Sequence, residues 1–424
     1  MNRDGTTPLF EELTSNNADS VSVTPGASQQ NATFSIKGLS GVTGDMRNYA
    51  QGFWLHLTTV VDPDAAGSAV NHDKLYKVLA SARLFSPLLG EVFPHKQTRG
   101  AVLGHIIQVL GLGYQYPQGA RTVIPASTDT DVTIDLFYYL PLAQGFLEEP
   151  MESAQWTGLF DDGSLEGTVD VSTALDGDYA GAVIKATTAL RAICQYVPSP
   201  HHYVGFPVQY RDREIAGGGT QPVLQGVGQE TQLNGVKSGC GLFWMSWLTN
   251  ATGIGMGGPD GVDNITQVEL PWRSQRLLRN LDPFFLSLRA AVGKRVGPST
   301  NGTTAMHDTA GWPFTIADAP VNRPAASAES MFLPLVFPTA RAKTSKFQRT
   351  GGNLKINLTV TSAISASHRV VTGEAMEWTE EQRDRIFTAM NLPPGPYRYV
   401  KRPMYGQAAD AGELRFSRWY AVPA

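Results

Sequence analysis

Charge is scarce in this chain: charged residues make up 17% of its 424 positions, against about a quarter in an average globular protein. The net charge of −4 excludes a body that coats nucleic acid through bulk electrostatics. Cysteine is scarcer still. Cys194 and Cys240 lack C-x-x-C spacing, which rules out a disulfide scaffold or a cysteine-rich zinc site. Buried free thiols in a protein assembled in a reducing cytosol are expected, a single Cys194–Cys240 bridge being the alternative. No apolar run approaches the 18 or so residues of a membrane helix; the stretch 101–113 is broken by Gly104 and His105. The first 30 residues hold no apolar core of a signal peptide. The five Asn-x-Thr sequons at Asn31, Asn250, Asn264, Asn301 and Asn357 are therefore read as incidental.

Catalytic signatures are missing as well. Gly253-Ile254-Gly255-Met256-Gly257-Gly258 spells G-x-G-x-x-G, but Pro259-Asp260-Gly261 follows. No helix N-terminus is then available to hold a pyrophosphate, and the string reads as a surface loop. Gly293-Lys294 lacks the upstream glycine of a phosphate cradle. His201-His202 has no cysteine or carboxylate at ligand spacing, His307-Asp308 has no identifiable nucleophile, and Asp161-Asp162 runs into Gly163-Ser164 as a turn would. No enzyme, cofactor or metal site is expected.

What is present is a β-rich pattern that occurs twice. Gly52-Phe53-Trp54 opens an apolar run that Leu242-Phe243-Trp244 repeats 190 residues later. The aromatic strand 136–142, with Pro141, is echoed by 331–335, with Pro334, at an offset of 193. The alternating segment around Val169 is matched around Ile356 at an offset of 187. Three landmarks in one order at nearly constant spacing imply two equivalent halves. Glycine (43) and proline (27) together supply turns for many short strands. Eight Trp, 14 Tyr and 18 Phe on so uncharged a chain suggest that much of the surface is covered by other subunits.

Along the chain, 1–30 reads as a polar N-terminal arm, 31–197 as a first β domain, 198–229 as the interdomain connection, 230–378 as a second β domain and 379–424 as a helix with a tail. Leu75, Val78, Leu79 and Ala82 fall at helical spacing, which predicts a helix there. Strands are expected over 88–93 and 101–112, and 182–197 fits either a strand or a helix. Asp282-Pro283 predicts a helix over 284–292, and 297–324 is a long Gly/Thr/Pro-rich loop. Thr379-Glu380-Glu381-Gln382 is a capping box that predicts a helix from Glu380 to about Met390. Trp54 and Trp244 are expected inside their respective barrels.

The tail 391–424 holds Arg398, Lys401, Arg402, Arg415 and Arg418 against Asp410 and Glu413 alone, a net +3, interleaved with six aromatics including Trp419 and Tyr420. Arginine beside tyrosine and tryptophan is the composition of an interface anchor. Arg398, Lys401, Arg402, Arg415, Arg418, Trp419 and Tyr420 are thus the candidate assembly residues, with a neighbouring subunit, a lipid headgroup surface or nucleic acid as their partner.

The segments 52–61, 136–143 (with Tyr138-Tyr139-Leu140-Pro141-Leu142-Ala143 its most distinctive part) and 353–362 resemble the double jelly-roll major capsid proteins of tailless icosahedral viruses, the tectivirus-like and adenovirus hexon-like lineage. The resemblance covers roughly 30–380 and implies a mainly β chain of two tandem eight-stranded jelly rolls with a few short helices. It further implies homotrimers of pseudo-hexagonal outline that tile a virion shell of a bacteriophage type, with penton and minor capsid proteins as further partners. In that setting the tail 391–424 meets a neighbouring subunit, an internal membrane or the genome, and a chain ending at Met390 is expected to form trimers but not stable shells. The N-terminal arm departs from relatives whose amphipathic helix touches an internal membrane, and 297–324 and 391–424 have no counterpart. A tandem β-sandwich carbohydrate-active enzyme or lectin, or a virion spike, is the alternative.

Overall fold

The computed structural model describes residues 8–15, 30–39, 46–62, 78–93, 100, 103, 131–142, 154–170, 183–205, 208–214, 226–233, 241–248, 265–272, 275–281, 332–336, 354–360, 369–375, 379–392, 397–403 and 417–424. Within 208–375 the description is of backbone, strand pairing and register. The loop 297–324, the helix expected over 284–292, Gly253–Gly258, Gly293-Lys294, His307-Asp308 and Cys240 lie outside the described residues.

Ten strands come first: β1 (Leu9–Glu12), β2 (Thr14–Ser15), β3 (Gln30–Ile36), β4 (Arg47–Asp62), β5 (Leu79–Ser86), β6 (Gly90–Phe93), β7 (Val132–Pro141), β8 (Gln155–Trp156), β9 (Gly163–Val169) and β10 (Val183–Ser199). They form two antiparallel sheets, β1-β10-β4-β7 with β8 added to β4, and β2-β3-β9-β5-β6. With the two-residue β2 and β8 set aside, the eight main strands take the sheet orders 1-8-3-6 and 2-7-4-5. This is one long antiparallel ribbon wrapped on itself, the jelly roll, which packs two sheets face to face over a common core.

The second set repeats the plan. β12 (Val208–Glu214), β13 (Gly226–Leu233), β14 (Gly241–Leu248), β15 (Ile265–Trp272), β16 (Gln275–Leu281), β17 (Phe332–Val336), β18 (Leu354–Val360) and β19 (Arg369–Ala375) form the sheets β12-β19-β14-β17 and β13-β18-β15-β16. Counted from the first strand, these orders are again 1-8-3-6 and 2-7-4-5. The repeated landmarks fall on equivalent strands: Trp54 and Trp244 on the third, Pro141 and Pro334 on the sixth, Val169 and Ile356 on the seventh. The fold is mainly β, a double jelly roll.

Several local expectations are corrected. β1 and β2 lie in the stretch read as an arm, and β12 and β13 begin within the stretch read as a connection. Leu79 and Ala82 belong to strand β5 rather than a helix, and Leu103, expected in a strand, is helical. Leu79 and Ala82 both enter the core three residues apart because the register of β5 on β9 shifts between Leu79 and Ser81, a bulge that resets the alternation. The ambiguous stretch 182–197 is a strand, β10.

Trp54 is not inside the barrel. Phe53, Leu55 and Leu57 point into the core and are fully buried, so strict alternation places Trp54, His56 and Thr58 on the outer face, half-buried. There Trp54 packs on Tyr139, ring centroids 4.3 Å apart, and its Nε1 donates to Gln195 Oε1 at 2.8 Å. His56 stacks on Phe137 at 4.5 Å and lies 2.9 Å from Asp135, which also accepts from Thr58 Oγ1 at 2.9 Å. Gly52, opposite Pro141, has no side chain because the Tyr139 ring occupies the space a Cβ would need. That ring is fixed by its hydroxyl, which donates to Gln51 O at 3.0 Å.

The core joins both sheets through Phe34, Ile36, Phe53, Leu55, Leu57, Leu84, Phe93, Leu136, Tyr138, Phe160 and Leu165, with Phe53 and Phe160 edge to face at 5.3 Å. Cys194 is a buried free cysteine, as expected for that residue. Burial pushes its thiol far above the ordinary range, the nearby Glu11 adding to the shift, so it is a packing group and not a nucleophile.

Burial also raises the phenols of Tyr138 and Tyr139 well above their ordinary value. In the unfolded chain both ionise near pH 10, while the folded chain keeps them protonated. Their contribution to stability is therefore complete below about pH 10 and is lost as pH rises beyond it. The melting temperature is expected to stay level to about pH 9 and to fall steeply above 10. A Tyr139→Phe variant, followed by circular dichroism, should show a shallower alkaline fall.

Candidate assembly interface

The C-terminal helix, Glu380–Ala389, starts where the capping box predicts. Thr379 Oγ1 accepts from Gln382 N at 3.2 Å, and Gln382 Oε1 accepts from Thr379 N at 3.1 Å. Glu380 and Glu381 occupy the first turn, where acidic groups complement the helix dipole. Asn391, at φ 46°, ends the helix in the left-handed conformation that asparagine tolerates. The buried side of the helix carries Arg383, Ile386 and Phe387.

The tail continues as a hairpin of β20 (Tyr397–Pro403) and β21 (Ser417–Pro423), and β21 pairs in turn with β11 (Tyr203–Val204). Tyr203 sits opposite Tyr420, and Ala421 N donates to His202 O at 3.1 Å. This small sheet is seated on the start of β4. Tyr49 and Tyr203 stack at 4.0 Å with their planes 6° apart. The Tyr49 hydroxyl donates to His201 O at 2.9 Å and accepts from Tyr203 N at 3.0 Å.

Alternation gives the hairpin two faces. Positions 397, 399, 401, 417, 419, 421 and 423 lie on the face toward the helix. Tyr399 stacks on Phe387 at 4.7 Å, and the Arg383 guanidinium lies 4.2 Å from the Trp419 ring centre and 5.3 Å from that of Tyr399. Positions 398, 400, 402, 418, 420 and 422 lie on the other face.

The structure thus brings together six of the seven residues marked in the sequence. Arg398 is exposed on β20 and pairs across to Val422, Lys401 lies opposite Trp419, and Arg402 lies opposite Arg418. Trp419 and Tyr420 are half-buried, and Arg415 lies outside the described residues. The interleaved pattern resolves by register: Arg398, Arg402 and Arg418 share one face, and Trp419 belongs to the other.

Sequence reasoning missed the residues that receive this module. Arg47, only 3% exposed, donates from Nη2 to Met390 O and Asn391 O, both at 3.3 Å, across 343 and 344 positions. It is a cation set at a helix C-terminus, where the dipole favours it. Arg383, Tyr49 and Tyr203 were missed too. The one local signal was the run of polar and aromatic residues around Arg47 at the start of an otherwise apolar strand.

Two of the other sequence candidates fall among the described residues. Asp162 sits at φ 61° in a turn, and His201 and His202 are engaged through their backbone carbonyls. Among the described residues no cluster of His, Cys, Asp and Glu is placed to hold a metal, and no helix is long and apolar enough to cross a membrane.

Two eight-stranded jelly rolls in one chain define the class, a double jelly-roll protein. No family model and no curated protein sequence matches the chain. A chain of the Sulfolobus turreted icosahedral virus shares the fold at 9% identity, with a TM-score of 0.51, covering 90% of this chain and 97% of that one. The major capsid protein P2 of bacteriophage PM2 aligns at 11% identity over 88% of this chain and 99% of its own, with a TM-score of 0.44. The mavirus major capsid protein aligns at 10% identity over 86% of each chain, with a TM-score of 0.38.

Replacing Arg47 by Met keeps most of the side-chain volume but leaves the helix-end carbonyls without their donor. Urea unfolding is expected to show a loss of about 1–3 kcal/mol, with little change from a control substitution at the exposed Arg398.

Proposed function

We propose that the chain is a coat protein whose two jelly rolls stand side by side as wedges of a homotrimer, and that these trimers tile the shell of an icosahedral virion. The observation that carries this reading is the same eight-strand order occurring twice in one chain. Three subunits with two similar wedges each give a block of near-sixfold outline, which packs a hexagonal lattice while needing only threefold symmetry. The double fold shared with a chain of an icosahedral virus particle supports it. We assign the two wedges to 9–199 and 208–375. The role is structural and non-enzymatic, the location is the virion after assembly in a host cytoplasm, and penton and minor capsid proteins are the further partners.

Contacts within the trimer would be permanent, each burying on the order of 2,000 Å² or more. That scale suits the low charge and the aromatic content of the chain. The hairpin face with Arg398, Arg402 and Arg418 is the contact between trimers or toward the shell interior. Arg402 and Arg418 occupy directly opposed positions, where like charges repel, and an acidic partner removes that cost.

Negative-stain microscopy and light scattering of the purified protein provide the first test. Hexagonal trimers are expected; stable monomers or elongated fibres would overturn the coat reading in favour of a carbohydrate-binding protein or a spike.

A second test reverses the charge of the hairpin. Arg398→Glu with Arg402→Glu should leave the trimer intact but weaken particles. Their disassembly midpoint should move to lower salt, because contacts between opposite charges are replaced by repulsion. Particles with unchanged salt resistance would exclude this face from the contact.

A further inference from the structure

We infer that the C-terminal helix and hairpin form an intramolecular clasp, so that the first jelly roll is completed only by residues made after the second. The chain leaves the first pair of sheets at Ser199, runs through the strands of 208–375 and comes back. Ile386, Phe387, Met390 and Ala421 then belong to the same buried cluster as Phe53, Leu55 and Tyr203. The second jelly roll is, in chain terms, an insertion in the first.

Three kinds of contact close the clasp, each of a different physical type. The backbone joins by strand pairing, β21 adding to β11. A charge-assisted hydrogen bond is made by Arg47, whose guanidinium donates to the carbonyls of Met390 and Asn391. The aromatic contact is Arg383, 8% exposed, held over Trp419 and beside Tyr399 while Asp384 Oδ1 neutralises it from 2.7 Å. A desolvated cation on a tryptophan face is worth more than an exposed one. The end of β4 that receives the clasp is covered on both sides, since residues 49–53 are all buried. Without the clasp, Tyr203 would lose the Tyr420 ring, its centre 5.9 Å away, and Arg47 its acceptors at Met390 and Asn391.

The consequence is a check on chain completeness. A nascent or truncated chain ending before 379 presents an open aromatic end to its first jelly roll, and a full-length chain does not. This deepens the coat reading, in which only complete subunits should enter a shell. The structural test below does not depend on assembly.

Hydrogen–deuterium exchange of the full-length protein, read by peptide mass spectrometry, provides that test. In Arg383→Ala, exchange should rise about tenfold or more together in peptides covering 397–403, 417–423, 203–204 and 47–50, with 354–360 unchanged. Arg383→Lys, which keeps a cation over Trp419, should restore part of the protection. A rise confined to 397–423 would overturn the inference, making the hairpin an appendage. An equal rise through 226–233 and 354–360 would overturn it as well, because the residue would then support the whole molecule. If Arg383→Ala is insoluble, native-state exchange of the unaltered protein in mild urea decides. Residues 47–50, 203–204 and 397–423 should open with one shared urea dependence, and separate dependences would refute the clasp.

Discussion

The rest of the structure depends on one strand, β4, and on the two faces it has to satisfy. Over its sixteen residues it pairs with β10 on one edge and with β7 and β8 on the other. Its inward side chains Phe53, Leu55 and Leu57 sit at the middle of the core. A strand so long cannot be covered by one partner layer. The opposing sheet covers its inner face. Along the middle its outer face is closed by Tyr139, Gln195 and the stacked His56–Phe137 pair, and at its beginning by Tyr203 and the C-terminal module. The register irregularity opposite Gln195 and Tyr196 marks the change from one regime to the other.

That division explains why polar groups cluster on an otherwise apolar strand. Arg47 and Gln51 are buried, and burial of such groups is tolerated only when they are hydrogen-bonded. Gln51 Oε1 accepts from Gln195 Nε2 at 2.8 Å, and its backbone carbonyl takes the Tyr139 hydroxyl and Leu142 N. Arg47 meets the end of a helix. Arg47 and Gln51 thus mark places where other segments arrive.

The coat reading and the clasp bear on each other. A tile must hold its shape against its neighbours, and a chain of two jelly rolls joined by one short link would have a single tether. The return of the C-terminal module gives the second set of strands an anchored segment on either side, 183–205 before it and 379–423 after it. The helix also keeps an exposed side with Glu380, Glu381 and Arg385, so the module is bonded inward and polar outward, as a subunit surface should be.

Period-two hydrophobicity, turn residues and the recurrence of three landmarks were enough to read a mainly β chain with two equivalent halves, because strand alternation and duplication are written locally. The capping box at Thr379 was legible for the same reason: its hydrogen bonds span three residues. Leu79 and Ala82 imitate helical spacing because the bulge between Leu79 and Ser81 resets the alternation of β5 and places both in the core. The inward placement of Trp54 failed because size and apolarity do not say which face of a strand looks inward; the parity of Phe53 and Leu55 does. The tail's arginines and aromatics stood out by composition alone. The seating of the tail hairpin on β11 and of the helix end on Arg47 was decided by tertiary structure, since a contact spanning 343 positions between Arg47 and Met390 leaves no trace in local pattern.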